Sequence, residues 1–255
     1  MPRQGVFEKM DIKGLFYSAV HSGVPLIYPP RCLLCGGAGC QGMDLCEHCH
    51  QTLPFNHTAC VVCALPLPPN TSEGSVCGRC QKKPPHYDEA FSVFSYEQPV
   101  IWFIQQLKFN DRLTHARLLG DLLAASDCIE QISADEAVCI LPVPLFKKRL
   151  RERGFNQSIE LARALSKKTR WPIDLNAVQR VRETVSQTGL DAKARRRNIR
   201  GAFEVVEVLS HKHVVIIDDV VTTGSTVNEL SRVLKKLGVE RISVLSLARA
   251  PLGRG

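Results

Sequence analysis

VVIIDDVVTTGST, residues 214–226, packs a buried strand, two carboxylates and a turn into a helix into one short run. Val214–Ile217 are apolar and β-branched, so the run reads as a strand over 213–218 that is covered on both faces. Asp218 and Asp219 end that strand. Two valines follow, and then Thr222, Thr223, Gly224, Ser225 and Thr226 turn into a helix over 225–237, which Gly238 closes. Such a turn offers successive backbone N–H groups and hydroxyls at a helix N-terminus, which is a cradle for phosphate. Gly224 permits unusual backbone angles and a close approach. The acidic pair beside it suits the vicinal hydroxyls of a ribose. Together they describe a ligand carrying a sugar diol and a phosphate about one sugar apart. The Walker pattern G-x4-G-K-[ST] and the dinucleotide pattern G-x-G-x-x-G are both absent from this stretch.

Working outward, residues 91–96, 137–143, 175–181, 202–206 and 242–248 read as further strands. Helical periodicity covers 98–126, split in two near Asn110–Asp111, and 156–168, which Asn156 or Ser158 caps. Strands that alternate with helices imply an α/β fold with a parallel sheet and right-handed crossovers. Two basic clusters punctuate it. Lys147, Lys148, Arg149, Arg151 and Arg153 follow the strand 137–143, with Gly154 just after. Lys193, Arg195, Arg196, Arg197 and Arg200 lie in a polar stretch, 182–200, that reads as a loop.

The N-terminal third is built differently. Nine of the 11 Cys lie between Cys32 and Cys80, and eight form four C-x2-C pairs: Cys32/Cys35, Cys46/Cys49, Cys60/Cys63 and Cys77/Cys80. A C-x2-C knuckle aims two thiolates at one point, and two knuckles close a tetrahedral all-sulfur site suited to Zn2+. Sequential pairing gives two ribbons, one from the first two knuckles and one from the last two. A cross-braced pairing, first with third and second with fourth, is the alternative; the sequential one closes shorter loops at lower entropic cost. Iron–sulfur ligation and disulfides are the competing uses of the same residues. Glycines and prolines crowd the segment, so metal binding, at ~10–16 kcal/mol per site, has to supply its folding energy. Closed four-thiolate sites make the zinc structural. Cys40, His48 and His50 are surplus to two such sites, and Cys128 and Cys139 read as small buried residues.

Composition bounds the rest. The chain has 255 residues, 44% hydrophobic and 23% charged, as expected of a folded protein. Its apolar runs fall far short of the ~20 residues of a membrane-spanning helix. Charges at Glu8, Lys9, Asp11 and Lys13 interrupt any secretory h-region, which points to the cytoplasm. A net charge of +8 favours phosphate-bearing partners, whether nucleotides or nucleic acid.

The run 214–226 resembles the phosphoribosyl-pyrophosphate (PRPP) signature of type I phosphoribosyltransferases at every defining position. The chain from about residue 28 to 250 resembles the ComF family, including proteins named GntX, through QQLKF at 105–109, PVPLFKKRLRERGFNQS at 142–158 and T-x2-Q-x2-L…R-x2-N-x2-G-A-F from 184 to 203. The resemblance implies a parallel sheet with flanking helices and a variable hood over 86–255, preceded by a double zinc ribbon at 28–85 and an N-terminal segment, 1–27. It implies that Asp218 and Asp219 bind the ribose hydroxyls and act in catalysis, and that 222–226 holds the 5′-phosphate. Lys147, Arg149, Arg153 and Gly154 fall where such enzymes carry a pyrophosphate loop. Arg195, Arg196 and Arg197 fall on the flexible loop, to close over diphosphate or to contact a nucleic-acid backbone. Mg2+ accompanies PRPP. The family is associated with natural competence and DNA uptake or utilisation, so single-stranded DNA and DNA-uptake proteins are candidate partners. Three functions stay open: a transferase with an unidentified acceptor, a PRPP or nucleotide sensor without turnover, and a DNA-handling protein.

Overall fold

The computed structural model describes residues 29–109, 113–132, 138–183 and 197–252. Two short helices, α1 (Glu47–Gln51) and α2 (Gly78–Lys82), precede strand β1 (Glu89–Ser95). There follow α3 (Val100–Phe109), α4 (Leu113–Ala124), α5 (Cys128–Ile132), β2 (Val138–Pro142), α6 (Lys147–Arg153) and α7 (Gln157–Thr169). The chain then forms β3 (Val178–Arg180), β4 (Phe203–Val205), β5 (His213–Val221), α8 (Ser225–Lys236) and β6 (Arg241–Arg249).

Four strands make one sheet in the order β1-β6-β5-β2, every ladder parallel. Alternate side chains enter two cores, as strand pleating requires. Val215 and Ile217 of β5, Leu245 and Leu247 of β6 and Val138 and Ile140 of β2 pack with α3, α4, α5 and α7. Val214 and Ile216, with Ile242 and Val244, pack on the other face with Val227, Leu230 and Leu234 of α8. The antiparallel pair β3–β4 lies on this second side, through Val178 and Phe203. The sequence ends the central strand at 218; it continues to Val221, because Val220 and Val221 still pair with Ala248 and Arg249. The segment 147–153, read as a loop, is helical, since Lys, Arg, Leu and Glu are all good helix formers. Gly154 at φ 76° ends it in the left-handed conformation.

The two cysteine tetrads fold sequentially. Cys32, Cys35, Cys46 and Cys49 form one group and Cys60, Cys63, Cys77 and Cys80 the other, with ligand atoms in each within 4.8 Å of one another. Sulfurs stand 3.8 Å apart for Cys35–Cys46 and 3.7 Å for Cys63–Cys77. A tetrahedron of sulfurs at ~2.3 Å from zinc has edges of about 3.8 Å, so the residues fit the ion. Cys40, His48 and His50 stay out of both groups, and Cys128 and Cys139 are buried in the body. Each tetrad joins a different core: Cys32 and Cys49 the first, all four cysteines of the second tetrad the other. The chain between them crosses the edge of β1. The Ser95 amide donates to the Pro54 carbonyl at 2.8 Å, and the Asn56 amide to the Val93 carbonyl at 2.9 Å. The outer edge of β1 is thereby covered rather than left open to pairing.

Glu229 of α8 ties down the segment after 197. Its carboxylate accepts from the Gly201 amide at 2.8 Å and from Arg232 at 2.7 Å, while Ile199 enters the second core. Burial works to raise this carboxyl, but the Arg232 guanidinium and the Gly201 amide outweigh it and hold it below the usual range. A depressed folded value stabilises the protein above the unfolded value of ~4.3, and the stabilisation is lost as pH falls through the folded value. Glu229→Gln is therefore expected to lower the stability at pH 7 by about 1–2 kcal/mol, with the gap to wild type shrinking on acidification of a urea-unfolding series. For the metal, elemental analysis is expected to find two equivalents of zinc per chain, matching the two tetrads. Cys63→Ser is expected to remove one equivalent and to lower the thermal midpoint sharply, because ~10–16 kcal/mol of binding is then missing. Retention of both equivalents in that variant would contradict the assignment of Cys63 as a ligand.

Candidate functional site

The helices after β2 and β5 leave the sheet on opposite sides: α7 packs into the first core and α8 into the second. Neighbouring parallel strands whose connections diverge in this way leave a crevice at their carboxyl ends, the place where open α/β sheets bind ligands. β5 overhangs this crevice. Its last pairing with β2 is Ile217 opposite Pro142, so Asp218, Asp219, Val220 and Val221 extend beyond the shorter strand.

Adjacent residues of a strand face opposite sides, so Asp218 and Asp219 point to different faces of the sheet. Each is half-buried, and each lies beside its own arginine. Arg153 is half-buried near Asp219; burial lowers its pKa and the carboxylate opposes the shift. Arg180 is buried to 9% exposure on β3, its guanidinium 5.8 Å from the centre of the Phe203 ring. Burial lowers its pKa too, with Arg149 adding to the shift and Asp218 opposing it. Three guanidinium groups, Arg149, Arg153 and Arg180, thus gather around two carboxylates. Lys147 is exposed at the start of α6, and Lys148 pairs with Glu183 at 3.1 Å. Gly154 turns the chain from α6 into α7. There Asn156 caps α7 by accepting from the Ser158 amide at 3.0 Å and donates to the Val143 carbonyl at 3.0 Å, which holds the basic helix against the end of β2.

The loop 222–226 leads from β5 into α8. Gly224 sits at its N-cap with φ 74°, in the left-handed region that a side chain strains to adopt. Thr223 and Ser225 hydroxyls lie 2.8 Å apart, and the Ser225 amide donates to the Thr223 hydroxyl oxygen at 3.3 Å. Thr226 is half-buried in the first turn of α8. Two residues that the sequence did not single out hold this loop from behind. Arg79 of α2 donates to the Thr223 carbonyl at 2.6 Å. Arg249, 1% exposed at the end of β6, donates to the carbonyls of Val221 at 3.0 Å, Thr222, Ala250 at 2.6 Å and Cys63 at 2.9 Å. Arg180 left a trace in the sequence, as a charge inside the strand expected over 175–181, whereas Arg249 falls just past the strand expected over 242–248. Arg79 left none beyond its place inside the C-x2-C knuckle.

The second basic segment is only partly described. Residues 197–199 form a helical turn, with Arg197 and Arg200 exposed. Arg182 fastens it to β3 by donating to the carbonyls of Asn198 at 2.7 Å and Arg200 at 2.6 Å. Arg195 and Arg196 lie outside the described residues, as does the N-terminal segment 1–27. Among the described residues no helix is long and apolar enough to cross a membrane.

Residues 24–81 match the double zinc ribbon domain and residues 155–255 the phosphoribosyl transferase domain. The chain is 36% identical over 241 residues to "Competence protein F" of Haemophilus influenzae, covering 86% of this chain and 97% of that protein. It is 36% identical over 231 residues to "DNA utilization protein YhgH" of Escherichia coli O157:H7, covering 88% and 99%. A more distant relative is "Competence protein ComFC" of Streptococcus pneumoniae, 24% identical over 159 residues, or 62% of this chain and 67% of that one. A double zinc ribbon, a phosphoribosyl transferase domain and relatives alike over nearly their whole length place the chain in the family of competence protein F and the DNA utilization protein YhgH.

Proposed function

We propose that the crevice binds PRPP with Mg2+ and that the protein serves in the uptake or utilisation of DNA. The observation that carries the reading is the mixed charge of the site. Asp218 and Asp219 stand beside the N-terminus of α8, with Arg149, Arg153 and Arg180 close by. A ligand with a diol, a monophosphate and a diphosphate matches all three features at once; a plain anion would bring no partner for the carboxylates. Asp218 and Asp219 accept hydrogen bonds from the ribose hydroxyls. The loop 222–226 takes the 5′-phosphate. Arg149 and Arg153, with Lys147 at the rim, face the diphosphate. Mg2+ bound together with the ligand would supply further charge neutralisation beside Arg149 and Arg153.

Turnover follows the same layout. The C1–O bond to diphosphate breaks and its electron pair leaves with the diphosphate, where the guanidinium groups stabilise the developing charge. Positive charge grows on the ribose ring, and an acceptor lone pair forms the new bond to C1. The acceptor then gives up its proton, and no redox partner is needed. The site also suits a protein that holds PRPP without turnover; release of pyrophosphate in an acceptor screen separates the two.

A second reading, binding of single-stranded DNA, draws on the exposed Arg197 and Arg200 and on the DNA utilization proteins among the relatives. Calorimetric titration with PRPP and Mg2+ tests the first reading. The Asp218→Asn/Asp219→Asn double variant is expected to weaken binding at least about hundredfold, since two charge-assisted hydrogen-bonding groups are removed. Absence of binding to a zinc-loaded, folded wild-type chain would overturn it. DNA binding predicts an oligonucleotide affinity that falls steeply with salt. In the Arg195→Ala/Arg196→Ala/Arg197→Ala variant that salt slope is expected to flatten by about 0.7 for each phosphate the protein no longer neutralises.

A further inference from the structure

We propose that the second cysteine tetrad anchors the phosphate loop, with Arg79 and Arg249 as positioning residues that turn the loop's amides toward the ligand. The inference rests on the reading of 222–226 as that loop. Three consecutive carbonyls, those of Val221, Thr222 and Thr223, accept from these two guanidinium groups. In a trans peptide the N–H points opposite to the C=O of the same unit. Holding these carbonyls toward the arginines therefore directs the N–H groups of Thr222, Thr223 and Gly224 to the other side. Successive N–H groups turned one way form an anion-binding concavity.

Both arginines are fixed by the tetrad. Arg79 lies inside the knuckle Cys77–Cys80, and Arg249 donates to the carbonyl of Cys63. The phenol of Tyr87 closes the same corner, 3.5 Å from where a Cβ on Gly224 would stand. Zinc bound to Cys60, Cys63, Cys77 and Cys80 holds both attachment points still. The first tetrad packs into the opposite core, away from this corner.

The test compares full-length zinc-loaded wild type with Arg79→Ala, Arg79→Lys and Lys82→Ala. Lys82 is exposed on the same helix and serves as the control for charge alone. Zinc content is measured in every sample. Hydrogen–deuterium exchange then follows the peptide spanning 220–228. Arg79→Ala is expected to speed exchange there about ten- to hundred-fold, the effect of removing one charge-assisted hydrogen bond, while β1 and β6 peptides keep their protection. PRPP affinity should fall by a similar factor. Arg79→Lys should recover part of both effects, and Lys82→Ala should resemble wild type. Selective removal of the second zinc, as in Cys63→Ser, should loosen the same peptide. Unchanged exchange at 220–228 in Arg79→Ala overturns the proposal, as does faster exchange throughout the chain or an equal effect in Lys82→Ala. Failure of wild type to bind PRPP overturns the ligand assignment instead, and the exchange measurements still decide the anchoring.

Discussion

Arg249 leaves the sheet at the end of β6 with its guanidinium almost fully buried, and four backbone carbonyls receive it. A buried charge without such partners costs several kcal/mol. The carbonyls of Cys63, Val221, Thr222 and Ala250 must therefore stay where the guanidinium meets them. They come from a zinc knuckle, from the end of the central strand, from the loop before α8, and from the residue after β6. One side chain thus ties the cysteine-rich segment to the end of the sheet. A lysine in its place offers a single ammonium and no planar fork, so it cannot span acceptors set this far apart.

The acidic pair shows how strand geometry distributes charge. Side by side on one surface, two carboxylates would repel each other. Pleating sends Asp218 and Asp219 to opposite faces, and each meets a different basic element: Arg180 on β3 for the first, Arg153 at the end of α6 for the second. The site is assembled from three separate stretches of chain, yet its position follows from the topology of two neighbouring strands. β2 is shorter than β5, and their helices depart on opposite sides.

Much of this is legible in the residues. The apolar strands, the helices on either side of 110–112, the capping Asn156 and the sequential tetrads follow from periodicity, capping chemistry and loop length. The end of β5 is not, because aspartates read as strand terminators until a partner strand is known to run on beside them. The basic segment 147–153 falls after β2 as expected but reads as a loop, since its likeness to a diphosphate-binding loop outweighs its helix-forming composition. The contacts of Arg79 with Thr223, of Arg180 with Phe203 and of Arg249 with Cys63 and Val221 join residues more than twenty apart in sequence, and no local pattern carries such a relation.

The ribbons also change the meaning of the metal. Zn2+ with four thiolates carries a net charge of about −2, and a buried centre of that charge needs compensation. Arg79 and Arg249 stand beside the second tetrad and supply it. Compensation alone, however, does not account for where their N–H groups point. Those groups meet the carbonyls of Val221, Thr222 and Thr223, not the sulfurs. The pair therefore meets two demands together: it offsets the tetrad's charge and fixes the loop's peptide planes. Because the first tetrad lies in the other core, on the far side of the β1 edge, two ribbons of nearly the same sequence pattern have unequal duties. The first closes the core beneath α3 and α4, and the second reaches the crevice.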